Sequence, residues 1–597
     1  MVARVHPMPH GAELHENGVR FRLWAPGEDR VSIEIDGRPP VHLAREAEGW
    51  HELITIGAKP GSLYRYVVSD GLRVPDPASR FQPEDVHGPS EVIDPAAYDW
   101  QDADWRGRPW SEAVVYELHI GTFTPEGTFL AAIEKLDHLV AVGVTAIEIM
   151  PISDFPGGRN WGYDGVLPYA PDSAYGRPEQ LKALVDAAHA RGILVLLDVV
   201  YNHFGPDGNY LPVYAPQFFT DRHKSPWGAG INFDGAHSRP VRDFVIHNAL
   251  YWVEEFHLDG LRLDAVHAIT DDSEMHVLTE LAETLRAAVT DRPLHVVLEN
   301  EENLATPLRR NEQGEPHHYT AQWNDDVHHV LHVAATGERV GYYEEYHGDT
   351  EMLGRALAEG FGFQGQMMGY SGKPRGEPSA ELPPGAFVAF AQNHDQIGNR
   401  AFGERLSVLA PHATVRAVSA VYLLLPQTPM IFMGEEIGAT QPFPFFADFT
   451  GDLAEAVRNG RREEFSKFPE FSDPEKRDTI PDPLAESTFL SAKLRWDEID
   501  PGTLDWFTRI LNVRRAVILP LLSTLGGHAG HFEVVGDSAV VVTWSVGEQP
   551  KLRLQANLSG EAVAGFGDAL PHVIWTEGDA PADAPFAAWT VQWSVAA

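Results

Sequence analysis

Four carboxylates in this 597-residue chain stand at the ends of apolar runs. Asp198 closes Leu194-Val195-Leu196-Leu197, and Asp264 closes Gly260-Leu261-Arg262-Leu263. Glu299 closes Leu294-His295-Val296-Val297-Leu298, and Asp395 ends Phe390-Ala391-Gln392-Asn393-His394-Asp395. Side chains alternate faces along a strand, so Gly260, Arg262 and Asp264 share one face. Taken alone, Arg262 and Asp264 read as a structural ion pair that ends a strand, since burying charge is costly without a partner. Beside three further strand-end acids they read differently. Asp264 becomes an active-site carboxylate kept ionised by a neighbouring guanidinium.

Converging carboxylates suit glycosidic bond cleavage, which needs one ionised carboxylate and one protonated acid. Asp264, with Arg262 on its own strand face, fits the nucleophile. Glu299 follows an apolar strand and has Glu301 and Glu302 beside it; burial and like charge both raise a pKa, which fits the proton donor. Asp395 is placed to support an oxocarbenium-like transition state. His203, His267 and His394 are candidate hydroxyl donors. Trp161, Tyr163, Trp227 and Trp323 are candidate sugar-stacking rings, with Tyr163 in the glycine-rich Trp161-Gly162-Tyr163-Asp164 the least core-like setting.

These acids need a scaffold that brings strand ends together. Residues 113–510 alternate strand and helix patterns. Strands are expected at 114–120, 146–150, 193–200, 260–264, 294–298, 321–323, 386–391 and 430–433. Helices are expected at 128–142, with Phe129, Ile133, Leu136 and Val140 on one face, and at 178–190, 241–256 and 274–289. Eight such units indicate a (β/α)8 TIM barrel, in which catalytic groups sit at the C-terminal ends of strands. Residues 1–90 read as an N-terminal β-sandwich, with alternating strands at 19–24, 31–35 and 62–68. A proline-rich stretch, 75–95, reads as a linker. The expected division is 1–90 sandwich, 91–522 catalytic barrel with insertions, and 523–597 C-terminal β-sheet domain, a multi-domain α/β protein.

The four acid-bearing segments resemble the four signature regions of the α-amylase family, glycoside hydrolase family thirteen. Asp198 to His203 resembles the first, Gly260 to His267 the second, the segment ending at Glu299 the third, and Phe390 to Asp395 the fourth. The resemblance implies Asp264 as nucleophile, Glu299 as acid/base and Asp395 as transition-state stabiliser. Further segments, Asn160-Trp161-Gly162-Tyr163-Asp164-Gly165, residues 226–233, Gln322-Trp323-Asn324-Asp325-Asp326-Val327-His328-His329 and Met433-Gly434-Glu435-Glu436, resemble trehalose-releasing members of that family. Those members hydrolyse the α-1,4 bond next to the terminal trehalose unit of maltooligosyltrehalose. The resemblance places Asn324, Asp325, Asp326 and His328 against the leaving trehalose. The whole expected substrate-contacting set is Tyr163, Asp198, His203, Trp227, Arg262, His267, Asn324, Asp325, Asp326, His328, His394 and Gln396. Functional pairing with a maltooligosyltrehalose-forming synthase is also implied. An α-glucan branching enzyme is the alternative on the same machinery, differing in whether water or a sugar hydroxyl resolves the glycosyl-enzyme. A non-catalytic glycan-binding relative should have lost one of the three acids, and none is lost.

Composition agrees. Asp and Glu total 86 against 46 Lys and Arg, a net charge of −40. That surface repels nucleic acid and anionic membrane and suits a neutral ligand. With no cysteine, thiolate catalysis and disulfides are excluded. No window approaches the ~18 apolar residues of a membrane span, and residues 1–20 lack a signal-peptide h-region, so a cytoplasmic location is expected. Gly360-Phe361-Gly362-Phe363-Gln364-Gly365 fits G-x-G-x-x-G but follows a helical run, so no dinucleotide site is expected. His328 and His332 have i, i+4 spacing without the glutamate of a zincin. No cofactor and no required metal are expected.

Overall fold

The computed structural model describes residues 5–225, 228–466, 471, 473–581 and 584–596. Eight parallel strands close into a barrel: β1 (Val115–Leu118), β2 (Ala146–Ile149), β3 (Leu194–Val199), β4 (Gly260–Leu263), β5 (His295–Leu298), β6 (Ala321–Trp323), β7 (Phe387–Ala389) and β8 (Thr428–Phe432). Each is buried along its whole length, as parallel strands covered by helices on the outside and side chains on the inside must be. Alternation then sorts the residues. Val115, Ala146, Leu194, Leu196, Val297, Ala321, Val388 and Met430 fill the lower interior. Two residues further along, the inward positions turn polar, with Glu117, Glu148, Asp198 and Arg262 all buried. Register places Glu117 beside Glu148 and Asp198 beside Arg262. The apolar floor thus carries a charged layer at its carboxyl end.

Gly260 is required where it stands. A Cβ there would lie 2.0 Å from the His295 carbonyl oxygen on β5. Its absence lets β4 and β5 approach at the step that aims Arg262 and Asp264.

The flanking sheets are antiparallel. Gly18–Trp24 and Trp50–Thr55 centre one sheet of the N-terminal sandwich, and Ser32–Ile35 with Leu63–Val67 centre the other. Five C-terminal strands between Gly530 and Val595 form a single sheet, ending in His572–Glu577 and Thr590–Val595. This sheet packs on barrel helices through Trp593 Nε1, which donates to the Ala420 carbonyl at 2.9 Å, and Glu577, which pairs with Arg416 at 2.8 Å.

Two expectations need correction. The run 128–142 is two short helices, Phe129–Ile133 and Leu136–Val142. The break at Lys135 shifts the buried stripe, so Leu139 and Val142 are buried while Val140 is 42% exposed. The stretch 75–95 is not a solvated tether either. Arg80 within it is buried and pairs with buried Glu255 at 3.1 Å, at the end of helix α1 (Ser238–Glu255), and Ser90–Glu91 adds to the sandwich. Its prolines shape a strap packed between sandwich and barrel. Among the described residues, no helix is long and apolar enough to cross a membrane.

Candidate active site

One guanidinium organises the centre. Arg262 is 1% exposed. Its Nη1 donates to Asp198 Oδ2 at 2.6 Å and to Asp264 Oδ1 at 2.9 Å, and its Nη2 lies 2.9 Å from Glu299 Oε2. Its Cζ stands 4.0 Å over the Trp323 ring, a cation–π contact from below. A buried arginine is tolerable only when its charge is matched, and here three carboxylates on β3, β4 and the end of β5 match it. Asn202 adds a second hold on Asp264, donating to Oδ2 at 2.9 Å and to the backbone oxygen at 2.8 Å.

Ala265, directly after Asp264, has φ 41° and ψ 50°, a left-handed conformation that a Cβ disfavours. The turn has a local consequence: Ala265 N donates to Glu299 Oε2 at 2.7 Å. Burial pushes the Glu299 carboxyl well above the ordinary glutamate range. Arg262 opposes the shift, and the charges of Asp264, Asp395 and Asp325 reinforce it. Like charge does act on this acid, then, but from across the cleft rather than from Glu301 and Glu302. Burial also raises Asp198, to about 6 against the pull of Arg262.

The β7 end supplies Asn393, His394 and Asp395. Asn393 caps the short helix His394–Gly398 by accepting from Gln396 N at 2.9 Å. Buried Glu117 on β1 accepts from His394 N at 3.0 Å and pairs with its Nδ1. Burial alone would lower the His394 pKa, but Glu117 outweighs it and holds the pKa up. Asn399 Nδ2 donates to Asp395 Oδ1 at 2.7 Å. Tyr163 stacks on His394, ring centroids 5.1 Å apart, and donates to Asp198 Oδ2 at 2.7 Å. His203 pairs with the Tyr163 carbonyl at 3.0 Å and with Asn202.

These groups line a cleft of about 650 Å³ at the carboxyl end of the barrel. Tyr163, His203, Arg262, Asp264, His267, Glu299, Asp325, His394, Asp395 and Gln396 reach it, and Asp198 lies just behind, holding Tyr163 and Arg262. Glu301 also reaches the rim, but its side chain is 70% exposed and pairs loosely with His267 at 3.6 Å. Trp227 lies outside the described residues.

Three expected contacts face away. Asn324, Asp326 and His328 are buried behind the wall at 0%, 0% and 1% exposure. The reason is helical geometry: α2 (Asp325–Thr336) begins there, and successive residues turn by about 100°. Asp325 and His329, four apart, therefore face the cleft together. Asn324 instead donates to the Gly360 carbonyl at 2.7 Å and to Gln427 at 2.9 Å, and His328 pairs with the Ala391 carbonyl at 2.6 Å. Of the expected stacking rings, Trp323 underlies Arg262, and Trp161 reaches the cleft while stacking on Phe443 at 5.5 Å. Sequence reasoning missed Glu117, Asn202, His329, Tyr342, Tyr370 and Arg375. The strand-end rule could have found Glu117, one residue before the end of β1, and Asn202, three residues after β3; helical spacing from Asp325 could have found His329. Tyr342, Tyr370 and Arg375 stand on short elements whose placement no period announces.

His328 and His332 do not converge on a metal, since His332 pairs with Glu338 at 2.9 Å. Among the described residues, His223, Asp234 and Asp272 come close enough to share an ion, but Arg222 already pairs with both aspartates at 3.0 and 3.6 Å.

Comparison with known proteins agrees with this geometry. Residues 93–216 match the model of the alpha amylase catalytic domain, and residues 527–593 match a domain of unknown function, DUF3459. A malto-oligosyltrehalose trehalohydrolase of Deinococcus radiodurans is 43% identical, over 92% of this chain and 90% of its own. That of Saccharolobus solfataricus is 41% identical, over 85% and 87%. The crystal structure of a putative alpha amylase from Salmonella typhimurium superposes with a TM-score of 0.94 at 44% identity, covering 99% of this chain and all of its own. With strand-borne acids, guanidinium hub and near full-length likeness all agreeing, the chain belongs to the malto-oligosyltrehalose trehalohydrolases, glycoside hydrolases of the alpha-amylase family.

Proposed function

We propose that this cleft hydrolyses the α-1,4-glucosidic bond beside the terminal trehalose unit of maltooligosyltrehalose, with retention of anomeric configuration. The observation that carries the reading is the single guanidinium of Arg262 bridging Asp264 and Glu299. Two carboxylates bound to one planar group on adjacent strands suit the ~5–5.5 Å separation of a retaining pair; the ~6.5–9.5 Å of an inverting pair would need room for a water between them.

Asp264, ionised and fixed by Arg262 and Asn202, attacks the anomeric carbon. Glu299 carries the proton. Its Oε2 is occupied by Ala265 N and Arg262, so the proton sits on Oε1 and passes to the departing oxygen. The maltooligosaccharide stays on Asp264 as a glycosyl ester while trehalose leaves. Glu299, now ionised, takes a proton from water, which displaces Asp264. Asp395 faces the developing positive charge. Tyr163 and His394, stacked and anchored by Asp198 and Glu117, hold the sugar at the cleaved bond. In this reading residues 91–522 form the catalytic unit, flanked by 1–90 and 523–597. The enzyme acts in the cytoplasm, downstream of a synthase that builds the trehalose end.

Incubation with maltooligosyltrehalose, followed by chromatography, tests the substrate: free trehalose is expected, and transfer to longer branched glucans would favour a branching enzyme. NMR of the fresh maltooligosaccharide tests the stereochemistry. The α anomer is expected first, and an initial β anomer would overturn the retaining mechanism.

A further inference from the structure

The cleft has two unlike walls. Arg262 stands on β4, His203 four residues after β3, and Tyr163 in the loop after β2, tied to the barrel by its bond to Asp198. The opposite wall, carrying Asp325, Tyr342, Met368 and Tyr370, comes from three separate stretches. These are the start of α2, the turn Gly341–Tyr346, and a hairpin pairing Gln366–Met368 with Lys373–Arg375. None of these pairs with a barrel strand.

What they share is Asp326. Its Oδ2 accepts from Asn303 Nδ2 at 2.8 Å, Gly362 N at 2.7 Å and Phe363 N at 3.0 Å. Its Oδ1 accepts from Tyr346 OH at 2.6 Å and faces Arg375 Nη1 at 3.3 Å. Arg375 Nη1 also donates to Tyr346 OH at 2.6 Å, and its Nε to the Glu301 carbonyl at 2.7 Å. One buried carboxylate thus gathers the loop after β5, the turn, the hairpin and the glycine-rich segment that follows helix α3 (Thr350–Glu359). The G-x-G-x-x-G run is a backbone anion nest whose anion is internal. A Cβ at Gly362 would lie 3.0 Å from Met352 Cγ and 3.2 Å from Asp326 Oδ2, so the nest closes this tightly only around glycine.

We infer that Asp326 is a positioning residue for leaving-group recognition: it touches no substrate but fastens the wall against which the departing disaccharide binds. The side follows from the chemistry. A proton donor stands beside the departing oxygen, so the leaving unit lies toward Glu299 on β5 and onward past β6, where this wall stands. A disaccharide without a reducing end offers only hydroxyls and ring faces, and reading them requires groups fixed before it arrives. The inference rests on the substrate proposed above.

Two variants test it. Tyr346→Phe removes one hydroxyl from the clamp, and Asp326→Asn turns an acceptor into a donor amid N–H groups. Kinetics with maltooligosyltrehalose and with plain maltooligosaccharides of equal length are read beside backbone hydrogen exchange. For Tyr346→Phe, KM for maltooligosyltrehalose should rise about tenfold, with kcat held and the plain substrate little changed, as expected for one lost charge-assisted hydrogen bond. Exchange should quicken in 341–346 and 366–375 and stay unchanged in 295–299. For Asp326→Asn both effects should be larger; should that variant fail to fold, Tyr346→Phe decides. Equal losses on both substrates, or unchanged exchange in the turn and hairpin, would overturn the inference. A wild-type enzyme with no preference for maltooligosyltrehalose would refute the substrate assignment, and the exchange measurement would still decide the clamp.

Discussion

The β3–β5 side of the cleft and the β6–β7 side solve the same problem, holding carboxylates in fixed positions, by different means. On the first, Asp198, Arg262, Asp264 and Glu299 sit on or next to strands whose ladders fix them to within one residue of register. On the second, Asp325 and Asp395 begin short or newly started helices, and their neighbours come from inserted loops. Strand-borne charge is positioned by the barrel and needs one counter-ion. Loop-borne charge needs a network that ties loops to one another. In the proposed mechanism the first side carries the nucleophile and the proton donor, and the second carries Asp395 together with the wall proposed for the leaving group; substitutions on the two sides should therefore fail in different ways.

The largest effects belong on the strand side. Asp264→Asn and Glu299→Gln should each lower kcat by roughly 10³-fold or more, since each removes one of two obligatory roles, with circular dichroism unchanged. Glu301→Gln, on an exposed rim residue, should stay within about threefold of wild type. A dead Glu301→Gln beside an active Glu299→Gln would reverse the assignment of the acid.

Next comes Arg262→Met. It leaves three acids uncompensated in a buried layer, so a loss of about 3–5 kcal/mol is expected by denaturant titration, with kcat falling as well. A stable, active variant would show that the hub is dispensable.

The pH–rate profile should then report the proposed proton donor. Glu299 must be protonated in that role, so the rate should fall as pH rises through its pKa, which burial and three neighbouring acids hold up. A rate still rising at pH ~9 would contradict a carboxylic acid donor.

The smallest effect lies on the loop side. Glu338, bound by His332 and Arg400, has its pKa drawn down to about 2; burial works against this, and the hydrogen bonds from His332 and Arg400 with the Arg400 charge prevail. An acid whose folded pKa lies below its unfolded value adds stability above the unfolded pKa and loses it as pH falls through the folded one. Glu338→Gln should therefore cost about 1 kcal/mol at neutral pH, discounted for partial exposure, and the gap should close between pH ~4.5 and ~2. Activity should barely change.

The same contrast explains what was legible in the chain. Period-2 patterning and strand-end acids are local signals, so the barrel, Asp198, Arg262, Asp264, Glu299 and Asp395 could be read directly. The three residues placed wrongly, Asn324, Asp326 and His328, sit where a strand gives way to a helix. There the facing rule changes from alternation to a turn of about 100° per residue, and a motif read as a block cannot say which members point inward. Tyr342, Tyr370 and Arg375 were invisible for another reason. Their elements are short, irregular and held by Asp326, a tertiary contact with no sequence period. The supposed linker failed because proline content marks a rigid strap and a solvated tether alike.

The left-handed Ala265 has a consequence for anyone adapting this enzyme to heat. A glycine there would release about 1–2 kcal/mol of backbone strain, yet it would free the unfolded chain by about 0.5–1 kcal/mol. It would also loosen the peptide that holds Glu299 Oε2. The thermal gain is therefore small and is drawn from the alignment of Glu299, the proposed proton donor. Heat tolerance is better sought on the exposed faces of the outer helices, where a change in melting temperature need not be traded against turnover.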